Sequence, residues 1–222
     1  MKHDTSKNMA NFAAKSITPS GFFGAEESNI VEILDAVTKE EIDFILTWAR
    51  NNKNFDQTKD ELNEDGNLIY QANVWKDRVV TTETFKQYAP DMIPVLNNII
   101  LRMKKTIDAF FNVDAQPTGP CVVRWPVGSR QEPHADKEMH EGPDAGKPNA
   151  FPWYDIGTVF YLNDDYEGGE LYFPLQGIEF KPKPGAAYFF PGDKNYIHGV
   201  RPVTNGTRYT LPYFWTIKEH KK

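Results

Sequence analysis

The sequence predicts an α+β protein, mainly β with flanking helices, in which a compact β-barrel or jelly roll of about one hundred residues follows helices that support it from outside. Three observations carry this. Apolar residues recur at helical spacing twice before residue 112, at Ile42, Ile45, Leu46 and Ala49 and again at Ile93, Leu96, Ile100, Met103, Ile107 and Phe110. From Asn112 onward, aromatic and β-branched runs alternate with Pro, Gly and Asn about every 8 to 12 residues, as in sandwiches and barrels. A chain of 222 residues can also bury roughly 70% of its unfolded surface, so one core needs no disulfide or structural metal.

Residues 1–28 are polar around a small apolar island, Gly21-Phe22-Phe23-Gly24, and are expected to form a tail. Ile30 to Val37 reads as a short strand. Thr38 followed by Glu41 is a capping box that starts a helix from Lys39 to Asn51. Asn52 to Gly66 is a polar connection, and the mixed charges of Lys53 to Asp65 suit a solvated segment or a flap. Val74 to Thr84, rich in β-branched residues, reads as one strand, and Pro90 suits the first turn of a long helix, Ala89 to Phe111. Strands are expected at Cys121 to Trp125, Glu132 to Asp136, Ile156 to Asn163, Glu170 to Phe173, Ala186 to Phe190, Tyr196 to Val200 and Thr207 to Thr216. A helical support segment with one or two strands, residues 29–118, thus precedes a β core at 119–217 within one structural domain.

With 25 basic and 31 acidic residues the net charge is −6, which gives no global attraction to nucleic acid or anionic lipid. The single cysteine, Cys121, cannot make an internal disulfide, Met1 to Ala14 holds no signal-peptide-like apolar stretch, and no run approaches the length of a membrane span. A cytoplasmic protein with neither nucleic-acid nor membrane partners is expected, and its oligomeric state is left open.

Two histidines stand out, each in an expected strand: His134 in His134-Ala135-Asp136, and His198 in Tyr196-Ile197-His198-Gly199-Val200. Residues two apart in a strand share a face, so His134 and Asp136 can meet His198 from a neighbouring strand. Two imidazoles and one carboxylate on one side of a metal form the facial triad of non-haem Fe(II) oxygenases, with open positions for a chelating substrate and O₂. The pair alone is weak, since this composition produces a His followed two places later by Asp or Glu about 0.7 times by chance. Arg208 strengthens it, because a guanidinium ten residues beyond His198 offers a planar fork for a carboxylate.

Further motifs follow in order: Trp125, Gly128-Ser129, Glu132-Pro133-His134-Ala135-Asp136, Tyr161-Leu162-Asn163-Asp164, Glu167-Gly168-Gly169-Glu170-Leu171, Phe173, Lys183-Pro184-Gly185, His198-Gly199-Val200, Pro202-Val203-Thr204 and Arg208-Tyr209. Over residues 119–217 this string resembles the catalytic domain of the 2-oxoglutarate and Fe(II)-dependent oxygenases of the prolyl 4-hydroxylase type. The resemblance implies a double-stranded β-helix of the cupin-like kind. It implies that His134, Asp136 and His198 ligate Fe(II), and that Arg208 and Tyr161 bind the distal carboxylate of 2-oxoglutarate. It also implies O₂ as the oxidant, ascorbate as an accessory reductant, and hydroxylation of a peptidyl substrate, such as a prolyl one, with release of succinate and CO₂. Asp136 favours hydroxylation over halogenation, since the related halogenating enzymes carry Ala or Gly there. Two positions depart from the family pattern. Trp125 replaces the usual Tyr of Arg-Tyr-x-x-Gly and is assigned to the cosubstrate, and Gln131 replaces a frequent Tyr three residues before the metal His.

The rival readings are a small-molecule hydroxylase of the same superfamily, a cupin-like metal-binding module without turnover, and a His₂Asp zinc hydrolase in which Arg208 and Tyr161 have no role. His140 sits in a Pro- and Gly-rich loop, and Cys121 has no base near it in sequence. Gly168-Gly169 and Asn205-Gly206 are turn signals. A regular hairpin at Asn205-Gly206 would face Arg208 away from His198, so an irregular turn between Pro202 and Thr207 is expected, with both side chains inward.

Overall fold

The computed structural model describes residues 14–16, 29–52, 55, 61–62, 68–70, 75, 77–119 and 121–218. The Gly21–Gly24 island lies outside these residues, as does most of the Asn52 to Gly66 connection. Two antiparallel sheets face each other. The larger has nine strands: β1 (Ala14–Ser16), β2 (Val31–Ile33), β5 (Val79–Val80), β6 (Asp114–Pro117), β7 (Val122–Pro126), β9 (Ile156–Tyr161), β10 (Tyr166–Gly168), β13 (Ala187–Pro191) and β15 (Val203–Lys218). Its main path is β1-β2-β13-β9-β15-β7-β5, with β6 and β10 also paired to β15. The smaller sheet runs β12 (Ile178–Phe180), β11 (Leu171–Phe173), β14 (His198–Val200), β8 (Gln131–His134). A separate pair, β3 (Glu61–Leu62) and β4 (Leu68–Tyr70), completes the strands among the described residues. Strands β2, β5 and β6, all upstream of residue 119, are thus hydrogen-bonded into the large sheet.

Helix α1 (Lys39–Asn51) has the predicted bounds, and its capping box is formed: Glu41 N–H donates to Thr38 Oγ1 at 3.3 Å and Thr38 N–H to Glu41 Oε2 at 3.0 Å. Arg102 then donates to the same Glu41 carboxylate at 2.8 Å, fastening α1 to α3 (Met92–Phe111). Helix α3 starts three residues later than expected, with Pro94 rather than Pro90 in its first turn. It buries Leu96, Ile99, Ile100, Met103, Ile107 and Phe110 in a cluster shared with Phe160, Phe189, Leu211 and Trp215 of the large sheet. That packing gives the sheet a rigid back and turns its other face toward the small sheet.

Several expectations are corrected. Val74 to Thr84 is not one strand: among its described residues only Val79–Val80 pair, and the chain enters helix α2 (Thr82–Tyr88). The helical turn brings Phe85 to full burial against Trp48, with rings 5.2 Å apart, so burial overrides local β propensity. In Ile30 to Val37 only residues 31–33 are paired, because the Ala36 and Val37 N–H groups both turn to Gly185 O. Tyr196 closes a 3₁₀ turn, Lys194–Tyr196, before the strand begins at His198. The short strands β6, β10 and β12 had no counterpart in the sequence reading.

Asn205-Gly206 is not a turn. Both residues lie inside β15, opposite Glu167 and Tyr166 of β10, and the chain has already crossed from the small sheet to the large at Arg201-Pro202. Gly206 has φ +72°, and a side chain there would approach Asp165 O at 2.5 Å, so glycine serves a close backbone approach. The expected irregularity takes the form of a bulge: Asn205 pairs with Glu167 but Val203 with Gly168, leaving Thr204 extra.

Candidate metal centre and cosubstrate pocket

His134 ends β8 and faces His198, the first residue of β14, across the small sheet. Their rings are 4.4 Å apart. Asp136 lies beyond the strand, so strand alternation does not place it. Its loop is fastened instead by Lys137 N–H donating to Gly192 O at 3.0 Å and by the Asn149 amide donating to Asp136 O at 3.0 Å. The Asp136 Oδ1 atom is 3.6 Å from His134 Nε2 and 3.8 Å from His198 Nε2. One ligand atom from each residue falls within 4.8 Å of the others, and among the described residues this is the cluster able to hold a metal.

The imidazoles are set for ligation. His134 Nδ1 lies 3.0 Å from Glu132 O and His198 Nδ1 3.1 Å from Tyr196 O. A carbonyl only accepts, so the hydrogen sits on each Nδ1 and the Nε2 lone pairs face Asp136. Burial pushes the Asp136 carboxyl up to about 8 and lowers both imidazoles, His198 well below its ordinary value. The Asp136 Oδ2 atom is buried without a hydrogen-bond partner. Desolvation thus drives all three groups toward neutrality, and a divalent cation is the charge that reverses this for the carboxylate. The donor set fits Fe(II).

The same cavity, of about 230 Å³ between the two sheets, reaches Arg208 and Tyr161. Arg208 is only 1% exposed. Its Nη2 donates to Tyr161 Oη at 3.0 Å, while Nε and Nη1 have no partner. The Tyr166 hydroxyl is likewise buried and unpartnered, and burial pushes its phenol up to about 12. Two vacant guanidinium donors in a dry pocket fit a carboxylate, as the distal end of 2-oxoglutarate requires. Trp125 also lines the pocket, its ring 4.7 Å from the Arg208 guanidinium, but its indole N–H is taken by Thr210 Oγ1 at 3.0 Å. It offers the cavity a flat wall and no donor.

Other residues fall away from the chemistry. His140 is outside the cluster. Arg201 is paired with Glu179 at 2.7 Å on the surface. Cys121 lines the cavity, its thiol donating to Pro212 O at 3.4 Å and pushed by burial up to about 12. Gly169, read as a turn, lets the Arg208 stem pass, since a side chain there would meet Arg208 Cδ at 3.1 Å. Sequence reasoning missed Gly157, where a methyl would overlap Asp136 Oδ2; a lone Gly inside the strand Ile156–Tyr161 was the available signal. It also missed Asn149 and Tyr166, which carry no motif.

Residues 121–216 match the family model described as the 2OG-Fe(II) oxygenase superfamily. Prolyl 3-hydroxylase 1 of Gallus gallus is 24% identical over 139 residues, 54% of this chain and 19% of that protein. Prolyl 3-hydroxylase 2 of Homo sapiens is 32% identical over 93 residues, 38% of this chain and 13% of that protein. The chain therefore covers less than a fifth of the length of these relatives. Among solved structures, the viral collagen prolyl hydroxylase vCPH from Paramecium Bursaria Chlorella virus-1, in its 2OG complex, has a TM-score of 0.60 at 16% identity, covering 87% of this chain and 98% of that one. A Pseudomonas putida prolyl-4-hydroxylase has a TM-score of 0.52 at 15% identity, covering 86% and 93%. The shared fold is the double-stranded β-helix. Residues 121–216 are thus similar in sequence to the 2OG-Fe(II) oxygenase superfamily, and the solved neighbours share the fold. Among the described residues no helix is long and apolar enough to cross a membrane.

Proposed function

We propose that this chain hydroxylates a peptidyl substrate, prolyl in the first instance, using Fe(II), 2-oxoglutarate and O₂, with ascorbate as accessory reductant. The observation that carries the reading is one buried cavity with a two-imidazole, one-carboxylate cluster at one place and the unpartnered donors of Arg208 at another. His134, Asp136 and His198 would hold Fe(II), and Arg208 with Tyr161 would hold the distal carboxylate of 2-oxoglutarate. Bound together, the metal and cosubstrate supply O₂ activation in which one oxygen atom leaves in succinate, with loss of CO₂, and the other becomes the substrate hydroxyl. The Asp136 carboxylate takes the place a halide would need, which favours hydroxylation. The apolar walls, among them Val159, Leu171 and Phe190, exclude water from that chemistry.

Two observations support a prolyl peptide. The relatives and neighbours above are named as prolyl hydroxylases. The cavity also meets an aromatic stack, Phe214 on Tyr154 at 4.0 Å and Tyr154 on Phe151 at 5.0 Å, and flat rings suit a proline-containing extended chain. The test incubates the Fe(II)-loaded protein with 2-oxoglutarate and either proline-containing peptides or free amino acids, following succinate and the added oxygen by mass. Peptide-dependent hydroxylation is expected. Hydroxylation of free amino acids alone would make it a small-molecule hydroxylase, and no succinate under any condition would leave a non-catalytic module.

A further inference from the structure

Gln131 opens β8, three residues before His134. In an unbroken strand such residues face opposite sides. Here His134 pairs with His198 and Gln131 with Val200, three steps on β8 against two on β14. The extra residue makes a bulge over Glu132-Pro133, where Pro133 has no N–H for the ladder. The bulge turns Gln131 onto the face of His134, and both line the cavity. Its Nε2 lies 3.2 Å from His134 Nε2. Because the His134 hydrogen sits on Nδ1, Nε2 is the acceptor and the Gln131 amide the donor.

A metal on His134 takes that lone pair and leaves the amide without its acceptor. Two hydroxyls of the cavity lining, Thr158 and Thr210, already accept from the indoles of Trp215 and Trp125. Val200 opposite, and Leu171 and Phe190 beside it, offer nothing polar from their side chains. A donor held there needs a new acceptor. Resting on the functional reading above, we propose that Gln131 is a cosubstrate-binding residue: its amide N–H donates to a carboxylate oxygen of 2-oxoglutarate at the metal end of the cavity, while Arg208 holds the other end. A carboxamide thus serves where the resemblance expects a tyrosine.

Calorimetric titration of the full chain with Mn(II), then of the Mn(II)-loaded chain with 2-oxoglutarate, tests this without turnover. Gln131→Met keeps the length and removes the donor, so the Kd for 2-oxoglutarate should rise about tenfold while the Kd for Mn(II) stays within about twofold. Gln131→Glu keeps the shape and sets a carboxylate against a carboxylate, so its loss of 2-oxoglutarate affinity should be larger; this isosteric variant carries the test if the Met variant fails to fold. An unchanged 2-oxoglutarate Kd in a folded variant overturns the assignment. So does an equal loss of Mn(II) affinity in the Met variant, which would make Gln131 a support for His134 alone. Wild-type protein that takes up no 2-oxoglutarate with Mn(II) bound overturns the functional reading itself and this assignment with it.

Discussion

Gly157→Ala probes the metal centre through space rather than through a ligand. A methyl built on Gly157 overlaps Asp136 Oδ2 and comes to 3.0 Å of Phe190 Cε2, so it is blocked on two sides. Non-bonded carbon contacts are optimal at about 3.5 Å or more, so the carboxylate must move on the order of 1 Å. Metal ligands tolerate deviations of about 0.2 Å, and the displacement exceeds that severalfold. The expected loss in Mn(II) affinity is about 10- to 100-fold, as for disrupted support of a ligand. Overpacking should also cost about 1–3 kcal/mol of folding stability. Calorimetry and thermal denaturation measure the two. A cycle with Asp136→Ala isolates the cause, because removing the carboxylate frees the space and the stability cost of Gly157→Ala should shrink in that background. Wild-type Mn(II) affinity in Gly157→Ala, or an undiminished stability cost in the double variant, would refute the steric argument.

His134→Ala or His198→Ala should abolish metal binding, measured by calorimetry, because two remaining ligands do not hold the ion against water at neutral pH; iron-dependent succinate formation in either variant would sink the triad. Arg208→Lys keeps the charge but loses the planar fork, so 2-oxoglutarate affinity should fall roughly tenfold or more, and an unchanged affinity would remove Arg208 from the site. Metal affinity should weaken as pH drops below about 8, because the raised Asp136 carboxyl then holds a proton that the ion must displace. Calorimetric titration should accordingly show more proton release on metal binding as pH falls from about 9 to about 7, and a release that does not change across that range would contradict it. Cys121, pushed up to about 12, stays a protonated thiol from pH 7 to 9, so iodoacetamide should label it far more slowly in folded protein than in urea; fast native labelling at pH 8 would overturn this.

The parts of the molecule legible in the sequence are those whose cause is local. Thr38 and Glu41 set the start of α1 through a reciprocal pair of hydrogen bonds three residues apart, and no distant contact is needed to write it. The triad was legible through residue type and order, but the face-sharing argument for Asp136 was not the operative one, since that residue leaves the strand and is positioned by Asn149 and Gly192. Where a tertiary neighbour decides, local signals mislead. Val79 to Thr84 has β-branched residues, yet the core draws Phe85 inward through a helical turn.

Arg208 gives the same lesson in its sharpest form. Counting alternation from His198 assumed one continuous ladder, in which an odd offset puts two residues on opposite faces. His198 and Arg208 instead belong to opposing sheets, joined at Arg201-Pro202, so facing the cavity has opposite sense on the two and the count alone cannot decide orientation. The Thr204 bulge then sets the register of β15 against β10. It also explains why a glycine stands at 206, inside a strand: β10 packs so close that Asp165 O leaves no room for a side chain. The Asn-Gly pair that reads as a hairpin is therefore the mark of a close strand-to-strand approach, and the buried guanidinium two residues further on reaches the cavity from the large sheet, where Arg208 pairs with Trp125 of β7.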